Sequence, residues 1–576
     1  MHVPKACAPG NGAYAEVREL GDFESPAPMT GFLLGDVGAT LPAVDNAARA
    51  LLVEATENDS EWLGEGSVPT AGNVDVLLLP SLLSCPFSTP VGKRTEATLG
   101  AIGLELVLVV GGGTADATWP STFAVHLDTG VVAPVSTDLD LLTPRNQATV
   151  TAFGEGGLVA GGVDRSGTVQ ATAEVYDPGA GGFQQQQPIS LSQARASHGA
   201  TVLVHGETLL VGGVGGADGQ TVLDTMEIVD PVTRTVRAEG VATLVAARKD
   251  PTVLLLASGE ILVAGGLDAN GDPVPTLEWF SADASQTSKR SQILATGAAR
   301  TFVALEGGGA LAVIAPPAGA STDFQDVWVI GADGAINAAT PLGGAFGTQP
   351  VLFGGAGGAP VLFAAGRWLR WQPYAGAFGV LGVDIAANID DATASPDSGL
   401  ALWLDTTVTP VAVTALRFDA VGEYSALEGA LLVGDTTDTA PDRLPSAGGI
   451  TFDPDAGLTL GPGASAFVTD RTYADVTVDM DAPTGEPALL VLRDELGNEL
   501  EVGGTSCPGA LPKPGAASSL HVERTGASVV WTLAGGASGT CTGGVGASAR
   551  LSVGVRAPAS IGSVVRNLRV ARVGTP

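Results

Sequence analysis

Between residues 94 and 266 the chain repeats one arrangement of polar and apolar positions about every 50 residues. The copy at residues 194–213 shows it in full. Arg195 precedes an apolar run, Gly199-Ala-Thr-Val-Leu-Val204, and a polar turn follows. A second run, Thr208-Leu-Leu-Val211, ends in the pair Gly212-Gly213. The other pairs are Gly111-Gly112, Gly161-Gly162 and Gly265-Gly266, each closing a run such as Leu106-Val-Leu-Val-Val110 or Ile261-Leu-Val-Ala264. Roughly 17 residues before each pair stands an arginine: Arg94, Arg145, Arg195 and Arg248, with Arg300 continuing the series where the glycines are gone. After each pair a polar turn leads to a third run: Ala124-Val-His-Leu-Asp128, Ala173-Glu-Val-Tyr-Asp177, Met226-Glu-Ile-Val-Asp230 and Leu277-Glu-Trp-Phe280.

Short apolar runs rich in Val, Leu and Ile, bounded by Gly, Asp and Asn, predict strands. Four short strands per unit at a period near 50 predict the blades of a β-propeller. One such sheet cannot bury both faces alone, whereas radial stacking can. Later copies are worn: Asp326-Val-Trp-Val-Ile330, Phe363-Ala-Ala-Gly366 with Trp368-Leu-Arg-Trp371, and Leu400-Ala-Leu-Trp-Leu404 with Ala415-Leu-Arg-Phe418. Counting them gives seven blades over 86–425; six is the alternative if 399–420 only links domains. The glycine pairs need only a structural role, close backbone approach at positive φ.

Residues 1–85 predict a small β domain of immunoglobulin-like sandwich type. A strand at Ala48-Arg-Ala-Leu-Leu-Val-Glu-Ala-Thr56 turns at Asn58-Asp-Ser60 and returns through Glu61-Trp-Leu-Gly64. Residues 426–447 predict a linker. Residues 448–576 hold seven or more alternating strands without helices, which predicts a second β-sandwich. The expected class is therefore all-β, in three modules.

The repeats resemble the kelch family: a glycine pair ends the second strand, a third strand carries Tyr176-Asp177-Pro178, and an aromatic, Phe183, follows. The resemblance covers about 330 residues, good in four units and poor in the last three. The family's usual tryptophan is mostly missing, with Phe183 as its stand-in, so packing between blades should differ. The C-terminal strands are similar to the concanavalin/laminin-G-like jelly rolls: Val476-Thr-Val-Asp-Met480, then Leu490-Val-Leu-Arg493 into the turn Asp494-Glu-Leu-Gly-Asn498, and a closing Val565-Arg-Asn-Leu-Arg-Val570.

Composition narrows the partners. Of 576 residues 45% are apolar and 15% charged, and the net charge is −33, which opposes nucleic acid or an anionic membrane as a general partner. No apolar run is long enough to span a bilayer. Four cysteines, two near each end, predict the disulfides Cys7–Cys85 and Cys507–Cys541 and an oxidising, extracellular or cell-surface setting. Residues 1–10 lack the apolar core of a signal peptide, so an exported chain would have lost its signal. The alternative for Cys7 is a lipid anchor, which would leave Cys85 alone.

Candidate chemistry is sparse. A kelch-type copper oxidase needs two tyrosines, two histidines and a cysteine near one tyrosine. After Cys85 the repeats have no cysteine, and the only histidines are His2, His126, His198, His205 and His521. Sialidase Ser-x-Asp-x-Gly-x-x-Trp boxes, a nucleophile elbow and HExxH are absent. A glycosidase needs two convergent carboxylates, and nothing singles out a pair. Calcium is the ion that Asp268, Asn270 and Asp272 would suit, three oxygen ligands at alternate positions around Gly271. The same residues suit a tight turn without metal. The arginines at equivalent blade positions form an arc for an anionic ligand, held by bidentate contacts, or else tie each blade to neighbouring carbonyls and aspartates. Trp62, Trp119, Trp368 and Trp371 are candidates for stacking on sugars or for packing.

The expectation is an exported, non-catalytic recognition or adhesion protein for glycan or protein ligands at a cell surface. Its rivals are a carbohydrate-active hydrolase on the loop face and a structural subunit of a surface layer or filament.

Overall fold

The structure is a computed structural model. It describes residues 2, 4–10, 13–21, 28–33, 48–57, 60–67, 74–80, 84–92, 94–103, 105–113, 122–185, 188–216, 219–292, 299–305, 308–314, 324–343, 350–355, 358–364, 367–372, 376–383, 392–395, 400–405, 411–417, 431–433, 450–453, 457–467, 475–482, 488–494, 496–508, 518–534, 537–546, 551–559 and 562–572.

The chain is all-β, as its patterning predicts. Among the described residues Thr95 to Arg417 contribute to seven successive antiparallel sheets, each built on four strands, and form two smaller sheets beside them, Arg145–Asn146 with Val163–Asp164 and Arg195–Ala196 with Val214–Gly215 and Thr221–Val222. The first contains Thr95–Ile102, Leu106–Gly113, Phe123–His126 and Val132–Pro134. The innermost strand of every sheet touches the innermost strand of the next, and Ala392–Ser395 of the seventh touches Thr95–Ile102 of the first. The sheets therefore close into a ring. Leu400–Asp405 and Ala412–Arg417 lie within the seventh sheet, so this stretch is not a connector between domains. The outer strand of that sheet comes from far upstream: Cys85–Pro90 pairs with Ala412–Arg417.

The continuous apolar runs follow from burial on both faces. Side chains alternate along a strand, so each run feeds two interfaces. Leu106, Leu108 and Val110 pack against Val159, Tyr176 and Phe183 of the second sheet. Val107 and Val109 turn the other way, onto Leu402 and Val413 of the seventh. Leu209 and Val211 meet Ile261, Val263 and Phe280 of the fourth sheet, whereas Leu210 meets Leu158 and Val175 of the second. Phe183 fills the expected aromatic position edge-on to Tyr176, ring centroids 5.4 Å apart. Between the sixth and seventh sheets the filling is Phe353, Phe363, Trp368 and Trp403.

Before the ring, one five-stranded antiparallel sheet runs in the order Pro28–Leu33, Tyr14–Gly21, Ala48–Glu57, Ser60–Ser67, Leu79–Pro80. Its core is Ala15, Val17, Leu51, Val53, Ala55, Trp62, Val76 and Leu78. Among the described residues no second sheet faces it. After the ring come an eight-stranded and a four-stranded sheet that share one core, including Leu490, Val522, Trp531, Val553 and Val565. Leu431–Val433, inside the stretch read as a linker, is a strand paired with Ser563–Arg572. Both expected disulfides are present, Cys7–Cys85 and Cys507–Cys541, with Cα atoms 5.9 and 5.5 Å apart. Among the described residues no helix is long and apolar enough to cross a membrane.

Candidate functional site

The repeated arginines form a latch between sheets. In all four described copies the guanidinium donates to the carbonyl of the first glycine of its own unit. Arg94, Arg145, Arg195 and Arg248 reach Gly111, Gly161, Gly212 and Gly265 at 2.9, 3.0, 2.9 and 3.1 Å. The backbone carbonyl of the same arginine faces the preceding sheet. Arg195 O accepts from Gly162 N–H at 2.8 Å and Arg248 O from Gly213 N–H at 2.9 Å. A Cβ on Gly111 would sit 1.9 Å from Arg145 O, and one on Gly161 would sit 2.2 Å from Arg195 O. Both glycines also hold positive φ, 68° and 60°, so two independent constraints demand glycine there.

A glutamate on the third strand completes three of the latches. Glu227 accepts from Arg195 Nε at 2.7 Å and Glu278 from Arg248 Nη2 at 2.7 Å; Glu174 takes Arg145 Nη2. The second oxygen of each glutamate accepts a backbone N–H three residues before the arginine, from Leu142, Ser192 or Val245. In the first unit Phe123 stands at the third-strand position that Glu174 holds in the second; the Arg94 guanidinium lies 5.0 Å above its ring, and burial pulls its pKa down to about 10 against the pull of Asp140. Burial likewise lowers Arg145, Arg195 and Arg248, opposed by their glutamates.

These four guanidinium groups are at most 3% exposed, so a soluble anion cannot reach them. The ligand arc expected of Arg94, Arg145, Arg195 and Arg248 is corrected on that ground: they hold the ring together. Arg300 lies on Ala299–Ala304, and its side chain is outside the described residues.

The calcium set resolves into a turn. Asp268 Oδ1 accepts from Asn270 N–H and Asp272 N–H at 2.8 and 2.9 Å, and Asn270 Nδ2 lies 3.4 Å from Oδ2. Backbone donors converge on the carboxylate where a cation would have to sit, and they hold its pKa below the ordinary range. Asp164 makes the same turn with Ser166 and Thr168 in the second unit, and Asp494 makes it with Leu496 and Asn498. Among the described residues no group of three acidic, His or Cys side chains could hold a metal ion.

Two residues beyond each arginine lies a feature that sequence patterning alone did not single out. Glu96, Gln147, Ser197 and Asp250 occupy equivalent positions, and all four are non-glycine residues at positive φ: 59°, 53°, 50° and 52°. Ser197 N–H donates to Gln147 O at 3.0 Å, and Asp250 N–H to Ser197 O at 2.7 Å, so their backbones chain across successive sheets. Each stands at or just before the start of an innermost strand, at one end of the ring. Asn146 Nδ2 donates to Glu96 at 2.9 Å. Partial burial raises the Asp250 carboxyl pKa, although the residue keeps an exposed surface; Ser197 and Lys249 oppose the shift and the Glu96 charge adds to it. Left-handed backbone in a non-glycine residue costs roughly 1–3 kcal/mol and tends to concentrate where function requires it. The available signal was the polar residue two places after Arg94, Arg145, Arg195 and Arg248, a position that Phe302 holds after Arg300.

His198, next in the chain, is 5% exposed; its Nε2 lies 2.9 Å from Thr149 Oγ1 on the preceding sheet, and its Nδ1 has no partner. Burial, with the Arg195 charge, pushes it down to about 3. Neutral and enclosed, it is a packing residue. Trp62, Trp368 and Trp371 are buried and offer no stacking face, and Trp119 lies outside the described residues.

No protein-family model matches the chain, and no curated protein does. Among solved structures, YjhT is similar at 11% identity and a TM-score of 0.35, over 52% of this chain and 96% of that one. A likeness of that strength carries no argument about function.

Proposed function

We propose that the chain is an exported, non-catalytic recognition protein whose ring is a seven-bladed propeller of kelch type, and that it binds a glycan or protein ligand at a cell surface. The observation that carries the proposal is the rim of Glu96, Gln147, Ser197 and Asp250. Four different polar heads are mounted at one strained backbone position, on a latch that repeats around them. An identical scaffold with varied heads is the arrangement of a binding surface on a rigid frame. Kelch membership is supported by the glycine pairs, the seven sheets and the Tyr176–Phe183 packing. The two disulfides are compatible with export.

A glycan array probed with and without calcium tests this, using wild type and the Gln147→Gly, Ser197→Gly double variant. Glycine tolerates positive φ, so the variant should stay folded while losing the polar heads. Loss of array binding at unchanged melting temperature is the expected result. Equal binding by the variant, or binding by neither protein, removes the rim as a glycan site.

The hydrolase alternative draws on one observation, the raised Asp250 carboxyl within electrostatic reach of Glu96. Both residues remain exposed, which suits binding better than acid–base work in a dry pocket. Hydrolysis of a glycan that disappears in Asp250→Asn would favour the enzyme.

A further inference from the structure

Asn270 and Gly271 stand at the tip of the turn joining the second and third strands of the fourth sheet, Ile261–Ala264 and Thr276–Phe280. The turn is of the kind that recurs at Asp164 and Asp494. In each, an aspartate opens the turn and the glycine three residues on holds positive φ: 80° at Gly167, 82° at Gly271 and 86° at Gly497. The residue before that glycine differs: Ser166, Asn270 and Leu496. Of the three turns, this one alone sets an asparagine directly ahead of its glycine, and that pair carries chemistry the other two lack.

An asparagine side-chain amide is an electrophile for the backbone nitrogen of the residue that follows it. Attack closes a five-membered ring, and a side chain on the second residue hinders it; glycine has none. Nothing lies within 4 Å of the place where a Cβ on Gly271 would stand, so the approach is open on that side. Ala269, Asn270, Gly271 and Asp272 are all exposed, so water reaches the pair. The Asn270 amide is weakly held, its Nδ2 lying 3.4 Å from Asp268 Oδ2, at the limit of a hydrogen bond. One restraint opposes the reaction. Gly271 N–H donates to Asp268 O at 3.1 Å, and the nitrogen must leave that carbonyl before it attacks. Solvent-exposed backbone bonds of this kind are among those that open most readily.

We propose that Asn270 is a site of spontaneous deamidation, gated by the opening of its own turn. The Gly271 nitrogen gives its proton to solvent and bonds to Asn270 Cγ. The Cγ–Nδ2 bond breaks, and ammonia leaves with a proton taken from water. Water then opens the succinimide at either carbonyl, which leaves aspartate or isoaspartate at this position. Either product sets a third carboxylate between Asp268 and Asp272 and removes the amide that faces Asp268 Oδ2; isoaspartate also lengthens the backbone by one carbon. The turn springs from the rim end of the ring, where Lys249, next to Asp250, bridges to Leu267. The proposal is independent of whether the rim binds anything.

Ageing the full chain in mildly alkaline buffer, followed by peptide mapping with mass spectrometry, tests it. Asn270 should convert at least about tenfold faster than Asn146, Asn337 and Asn498, none of which precedes a glycine. Its products should separate into aspartyl and isoaspartyl peptides. Asp268→Ala removes the carboxylate that holds the Asn270 and Asp272 N–H groups, and should speed the conversion several-fold. Asn270→Gln, whose longer arm no longer closes the five-membered ring, should abolish the modification here at unchanged melting temperature. An Asn270 that stays intact as long as Asn146, conversion to aspartate alone, or slower conversion in Asp268→Ala would each overturn the proposal.

Discussion

Arg195 and Glu227 meet at 2.7 Å in a site where neither side chain exceeds 1% exposure. Removing one partner from such a pair strands a charge, at a cost of about 3–5 kcal/mol, whereas replacing both with apolar groups can be nearly neutral. Glu227→Ala should therefore destabilise by that amount, and Arg195→Met with Glu227→Leu by clearly less. Urea unfolding of the two single variants and the double variant measures the coupling. Additive losses would mean that the pair does not act as a unit.

The glycine pairs should be far less tolerant than turn glycines of the same backbone conformation. Gly162 has φ +95° and a Cβ there would lie 2.6 Å from Asn146 O; Gly167 has φ +80° and nothing within 4 Å. Gly167→Ala should cost only backbone strain, about 1–2 kcal/mol. Gly162→Ala should cost more than about 3 kcal/mol or prevent soluble expression, since the obstacle is backbone. Paired melting curves decide.

His198 sets a pH dependence whose sign follows from its environment. Its folded pKa, about 3, lies below the ordinary 6.5, so the unfolded chain takes the proton first. Its contribution is complete above about pH 6.5 and is lost as pH falls from there toward 3, amounting to a few kcal/mol. In His198→Gln this part of the slope should vanish. Stability measured at pH 7, 5.5 and 4 for both proteins gives the difference, and parallel curves would exclude the histidine as its source.

The disulfide Cys7–Cys85 fastens the strand that completes the seventh sheet, since Cys85 begins Cys85–Pro90. It closes a loop with a sequence separation of 78, worth about 4 kcal/mol in the chain-entropy model. The Cys7→Ser, Cys85→Ser variant should lower the ring's melting transition. The Cys507→Ser, Cys541→Ser variant should lower that of the C-terminal sandwich instead. Calorimetry that found both pairs acting on one transition would show that ring and sandwich unfold together.

Much of this architecture was legible because it is local. The Arg-to-glycine spacing, the alternating burial of runs such as 106–110 and the two cysteine pairs could all be read along the chain. Asp268 looked like a cation ligand because an Asx turn and a calcium loop use the same residues at the same spacing; the direction of the backbone N–H groups separates them, and a sequence does not show it. The partners of the arginines were visible but misassigned: Glu174, Glu227 and Glu278 each interrupt an apolar third strand about 30 residues after an arginine. A carboxylate inside an apolar run asks for a buried cation, and only one kind recurs at that interval. The rim stayed hidden because a polar residue two places after an arginine does not by itself show that the backbone of Gln147 or Ser197 is left-handed.

The seventh sheet has a consequence for how the chain is made. Cys85–Pro90 emerges early, but its partner Ala412–Arg417 follows more than three hundred residues later. At about 5–20 residues per second of synthesis, that strand waits on the order of 15–60 s with an unpaired edge. The ring cannot shut during that interval, whatever the stability of the sheets already formed. The last edge to be paired in this ring is thus set by the order of synthesis: the strand made first in the seventh sheet is the one that waits longest for its neighbour.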